Sequence, residues 1–206
     1  MRRPPVREWS VLGEDGDPVP GDPDAIAVLG QSLRDVADDI RREAGDVEAL
    51  CSVESWKSKA ADTFRDTARD TLKPLRKAYH RYAKAAAAMG TRVRPDSVAD
   101  WASALEHAQH LAGKALKDGQ LAHSDHETAV RAIEALPPDT TDDDPELVRL
   151  KKKRDKAADD PGAARSALQH AKDECDASAQ KAARIIHRAI THVAQTSETN
   201  RDRPPT

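Results

Sequence analysis

Apolar residues recur along most of this chain at intervals of three, four and seven, and nowhere in a sustained alternation of two. That periodicity predicts helices and no sheet. The first seam is Ile26, Leu29, Leu33, Val36, Ile40, Val47 and Leu50, a heptad-like run that predicts one long helix packing through those side chains. It opens at Asp22-Pro23, where Asp caps free amides and Pro at the first helical position sacrifices no hydrogen bond. A second seam, Ala61, Phe64, Ala68, Leu72, Leu75, Tyr79, Tyr82, Ala86 and Met89, predicts a second helix. Pro74 lies inside it, and because the pattern persists on both sides we expect a kink there and not a stop. Ser97 to Asp100 reads as a capping box for a third helix carrying Trp101, Leu105, Ala108, Ala112, Ala115, Ala122, Ala129, Ile133 and Leu136. Whether it continues helix two through a bend at Pro95 is open. Asp144-Pro145 and Asp160-Pro161 repeat the helix-opening signal. They predict a short charged helix over about 145–159, then a fifth with Ala164, Leu168, Ala171, Cys175, Ala179, Ala182, Ile186, Ile190 and Val193.

The expected organisation follows. Residues 1–21 form an irregular Pro/Gly-rich arm that cannot be helical and packs through Trp9; 22–136 hold a long hairpin and the third helix; 137–144 are a linker. Residues 145–197 are C-terminal helices packing back on the bundle, and 198–206 a disordered tail. The fold class is all-α, an elongated bundle of about five helices. Composition sharpens this picture. Hydrophobic residues make up 38% of the chain, largely Ala, and aromatics only 3%. Small side chains suit close helix packing around a thin core and supply little for a deep enzyme pocket.

Against so few aromatics, Trp56 at the turn between the first two helices stands out. It sits in Ser55-Trp56-Lys57-Ser58, with Ala60, Ala61 and Phe64 following. Two readings compete: the indole caps the core, or it belongs to a recognition surface. Chemistry is otherwise sparse. The net charge of −3 comes from interspersed signs, which offers nucleic acid no patch. Lys151-Lys152-Lys153-Arg154 fans around its helix as a solvated face. No apolar run could insert stably in a membrane, and Met1-Arg2-Arg3-Pro4-Pro5 lacks the apolar stretch of a cleavable signal peptide. His107 with His110, and His123 with His126, share helix faces but sit in no zinc motif, so neither metal nor cofactor is expected. No nucleophile elbow or phosphate loop occurs, and catalysis is not expected. Cys175 reads as a small core residue, and a Cys51–Cys175 disulfide is open.

The Trp56-Lys57-Ser58 turn, with Ser58 at the glycine position of W-x-G, resembles the helical hairpin of the WXG superfamily handled by type VII secretion. The wider order is the Trp9 arm, Gly21-Asp22-Pro23, the Trp56 turn with Phe64, Pro74-Leu75, and long Ala-rich helices. It is similar to the N-terminal targeting region of actinobacterial polymorphic toxins. The resemblance implies a non-catalytic export module, secreted without a cleavable signal or cytoplasmic before export. It implies a small helical WXG-like partner or the type VII machinery as its contact, and a toxin domain that lies outside these 206 residues. Trp56, Ser58 and Phe64 would form the recognition turn. The family's Y-x-x-x-D/E signal has no match here; His123 with Glu127, and His170 with Glu174, fit a degenerate H-x-x-x-E form. The alternative is an intracellular structural or adaptor bundle with no export role.

Overall fold

The computed structural model of the chain describes residues 3–53 and 55–201, with side chains to residue 189. It contains a short 3₁₀ helix (Val6–Leu12) and four α-helices: α1 (Pro23–Cys51), α2 (Lys59–Met89), α3 (Trp101–Glu134) and α4 (Pro145–Arg201). No strand occurs among the described residues. The fold is an all-α helical bundle, and its core is built mostly from alanine. The chain divides into two compact units, one of Met1–Gly21 with Leu105–Asp176, the other of Asp22–Ala104 with Ala177–Thr206.

In the first unit the arm is more ordered than its composition predicts. Pro5 precedes the 3₁₀ helix and Gly13 closes it in the left-handed region at φ 83°, a conformation glycine adopts without penalty. Trp9 is fully buried. Arg3 donates to the Asp17 carboxylate, to the Val19 carbonyl (3.0 Å) and to the Gln109 carbonyl of α3. Gln109, itself buried, donates back to the carbonyls of Val19 (3.2 Å) and Gly21 (3.0 Å). These bonds satisfy backbone groups that an irregular buried segment would otherwise leave unpaired. Close approach at Gly119, where a Cβ would lie 2.6 Å from Leu12 Cδ2, seats the arm on α3.

The C-terminal region departs from expectation at Pro161. Asp160-Pro161 does not open a new helix; α4 runs through it. Pro161 removes one backbone donor, yet Leu147, Leu150, Ala157, Ala164, Leu168 and Ala171 are buried along one stripe that passes the proline without losing register. Burial of that stripe outweighs a single missing hydrogen bond. Of the expected disordered tail, 198–201 continue α4 and the rest lies outside the described residues, as do the side chains of Ile190 and Val193. Cys51 and Cys175 are both free thiols. Burial, with the neighbouring Asp176 charge, pushes the Cys175 thiol above its ordinary value.

The second unit is built on the α1–α2 hairpin, and α2 runs through Pro74 without stopping. The face of α1 that meets α2 is not the seam of large residues. The buried positions are Pro23, Ala27, Gly30, Ala37 and Ala44. Between and beyond them, the Arg41 guanidinium lies over the Tyr79 ring at 5.8 Å and Glu48 accepts from Arg76 at 2.8 Å. Small residues win because they allow the backbones to touch. A Cβ on Gly30 would sit 2.8 Å from the carbonyl carbon of Gly90, and closer still to its oxygen.

Helices α2 and α3 are separate. Gly90 ends α2 at φ 85°; here a Cβ would run into the Asp100 carboxylate, 2.6 Å from its Cγ. The cap of α3 is Asp100 and not the Ser97 of the expected capping box. Asp100 Oδ1 accepts from the Ser103 amide at 3.0 Å, its carbonyl accepts from Ala104, and Arg94 pairs with its other oxygen. Ser97 closes only a local turn, accepting from the Ala99 amide. Burial alone would raise the Asp100 carboxyl. The Ser103 amide, the Arg94 guanidinium and the Ser103 hydroxyl outweigh burial and hold it below its ordinary value.

Candidate functional site

The α1–α2 turn is built from orphaned backbone groups and one side chain that answers them. Helix C-termini leave carbonyls without intrahelical partners, and a cation there is favourable. The last turn of α1 contains no basic residue of its own. Arg65, from the second turn of α2, fills the role. Its Nε donates to the Cys51 carbonyl (3.2 Å), and its Nη2 to those of Val53 (3.0 Å) and Trp56 (2.8 Å). Nη1 is held by Asp62 at 3.0 Å. The planar guanidinium fork can reach these acceptors together, where an ammonium could not.

Ser58 is the N-cap of α2. Its backbone is extended at φ −149°, and its hydroxyl accepts from the Ala61 amide at 3.2 Å. Nothing at this position requires the positive φ that favours glycine, and serine here satisfies a free donor of α2. Trp56 and Phe64 then meet edge to face, with ring centroids 5.8 Å apart and planes at 74°. That arrangement suits the opposed charge of aromatic faces and edges. The pair stays partly open to solvent: Trp56 is 43% and Phe64 38% exposed. With Ser58, Ala60 and Ala61 they line a shallow recess. The turn thus presents an apolar aromatic pair on a backbone fixed from beneath by Arg65.

The histidine–glutamate pairs lie on helix surfaces of the other unit. His123 Nε2 is 3.3 Å from Glu127 on α3, and His170 Nδ1 is 3.7 Å from Glu174 on α4. Each is a solvent-exposed i, i+4 pair. The basic run of α4 is tied into local ion pairs, Lys151 with Asp142, Lys153 with Asp125 and Arg154 with Asp155. Among the described residues, no group of His, Cys, Asp and Glu is arranged to hold a metal ion, and no helix is long and apolar enough to cross a membrane.

Residues 6–196 match the family model described as "Putative T7SS secretion signal domain". The chain belongs to this family. It is a targeting domain of type VII secretion, and membership implies export and contact with the secretion machinery. No curated protein and no solved structure matches the chain. Within a secretion signal domain, Arg65 is the residue that sequence reasoning missed. Its signal was indirect: a predicted α1 terminus without a cation, and an arginine one turn past the Trp56 turn.

Proposed function

We propose that this secretion signal domain is the non-catalytic targeting module of a type VII-exported toxin, and that it acts by helix–helix recognition. The α1–α2 hairpin presents Trp56 and Phe64 at its tip to a small helical partner or to the export machinery. The observation that carries the reading is the exposed edge-to-face pair on a turn braced by Arg65 and Ser58. A core cap would be expected to bury the indole, as Trp9 is buried. The toxin cargo rests on the resemblance of the Trp9 arm, the Trp56 turn and the Ala-rich helices to polymorphic-toxin targeting regions. The exposed pairs His123–Glu127 and His170–Glu174 supply a secondary element of the signal.

The test is export of a reporter fused to residues 1–206 in a type VII-competent actinobacterium, beside a strain lacking the secretion ATPase. Wild type should reach the medium only when the ATPase is present, and Trp56→Ala should abolish release without unfolding the domain. Glu127→Ala with Glu174→Ala should lower release. Undiminished release of Trp56→Ala would refute the recognition turn, and ATPase-independent release would refute the route.

A further inference from the structure

The α1 helix carries two interleaved heptad seams, one holding its buried residues and the other covered only in part. Of the first seam, positions 30, 37, 41, 44 and 48 lie on the hairpin side: Gly30 abuts Gly90 at the end of α2, Arg41 lies over Tyr79, Glu48 accepts from Arg76, and Ala37 and Ala44 are buried between them. The second seam is Ile26, Leu29, Leu33, Val36, Ile40, Glu43, Val47 and Leu50, spaced three and four apart without a slip. It is rotated from the first by about 100°, the turn of one residue. Ile26, Leu33, Ile40 and Val47 are half-buried, while Leu29, Val36, Glu43 and Leu50 form its exposed side. Leu29, Val36 and Leu50 are each 41–52% exposed, and Val28 beside them is open as well. A run of large aliphatic side chains with anchors at i, i+3, i+4 and i+7 is the form in which one helix offers itself to another.

Charge selects the occupant. One edge of the open seam borders α2, where Arg34 and Arg41 are held by Asp38 and Arg41 lies over Tyr79. The free edge carries Asp35, Asp39 and Asp46, and Glu43 stands in the seam itself; Arg42 is the single cation among them and pairs with Asp39, which leaves Asp35, Glu43 and Asp46 to set the sign. A second copy of this chain fits poorly. In an antiparallel pair the two acidic edges meet, and in a parallel in-register pair Glu43 meets Glu43, while like charges in such positions repel. We propose that the open seam of α1 is a docking strip for a partner chain's amphipathic helix, one with an apolar heptad seam flanked by lysine or arginine. This rests on the targeting reading for its purpose, since it names the chemistry of the helical partner.

Two synthetic helical peptides sharing one aliphatic heptad seam, one with Lys and one with Glu at the flanking positions, supply the probe. Binding to the full chain is read by fluorescence anisotropy, and self-association of the chain alone by sedimentation. The Lys-flanked peptide should bind about tenfold or more tighter than its Glu twin. Leu29→Ser with Val36→Ser keeps every charge, and with folding confirmed by circular dichroism it should weaken that binding about tenfold. Glu43→Gln with Asp46→Asn should leave the apolar contact and shrink the preference for lysine. Equal affinity for the two peptides, no binding of either, or binding untouched by the serine pair would overturn the proposal. So would a concentration-dependent dimer of wild type that the serine pair abolishes, since the occupant would then be a second copy. These readouts use purified protein, so docking can fail while export stands, and export can fail while docking stands.

Discussion

Trp9 and Trp56 are two tryptophans in two non-α-helical segments, and the structure treats them in opposite ways. Trp9 is fully buried, under the Arg3 guanidinium, whose bonds run to Asp17, Val19 and Gln109. Trp56 stays at the hairpin tip with Phe64, and the bonds around it run through its backbone. One indole is held in place by its surroundings, whereas the other is displayed by them. The difference teaches where to look for function in a chain with so few aromatics: at the large apolar side chain that the fold supports and does not bury.

The comparison breaks most visibly if Trp9 proves dispensable. Trp9→Ala should cost about 3–5 kcal/mol, the range for deleting a buried aromatic, read as a lowered midpoint in chemical denaturation. The brace beneath the other tryptophan comes next. Arg65→Ala strips three carbonyls of a charged donor and should cost about 1.5–3 kcal/mol; Arg65→Lys should recover only part, because it lacks the fork. Of similar or slightly smaller size, Gly30→Ala should cost about 1–3 kcal/mol by forcing α1 off the Gly90 carbonyl. The same substitution at Gly45, where a Cβ meets nothing, should do no such harm.

Acid gives a smaller, graded test. The Asp100 carboxyl is held below its ordinary value in the folded chain, so its ionised form stabilises the fold. That contribution is fully present above the unfolded carboxylate value of about 3.9. It fades as pH falls through the lower folded value. The α2–α3 turn should therefore loosen in that acidic window, and Asp100→Asn should flatten the response there. The smallest expected effect on stability belongs to Trp56→Ala, within about 1 kcal/mol, as for surface substitutions.

Much of this fold was legible in the sequence, because helix period, Asp-Pro starts and Ala-rich faces all point one way. The bounds of α1 and α2 follow from those signals. Two features departed from the pattern, for different reasons. Asp160-Pro161 mimics a helix start, yet the stripe from Leu147 to Ala171 keeps its register across it, as the α2 pattern does across Pro74. Pattern continuity outranks a local breaker when the stripe is buried. On α1 the seam of large residues predicts the packing face, whereas the small residues one position on are the buried ones. Size predicts hydrophobic gain but not how closely two backbones approach, and Gly30 against Gly90 decides the latter. The Arg65 brace depends on a contact across the turn, which periodicity does not encode. The arm's 3₁₀ turn was hidden by its prolines and glycines, since its order comes from α3.

The central claim is that Trp56 is displayed for recognition and not used for stability. The measurement that tests it most directly pairs a denaturation curve with type VII-dependent release for the same variant, Trp56→Ala, in the reporter fusion of residues 1–206. Display for recognition requires a midpoint close to wild type and release reduced to the level of the strain lacking the secretion ATPase. A variant that unfolds like Trp9→Ala, or one that keeps its stability and is still exported, would contradict it.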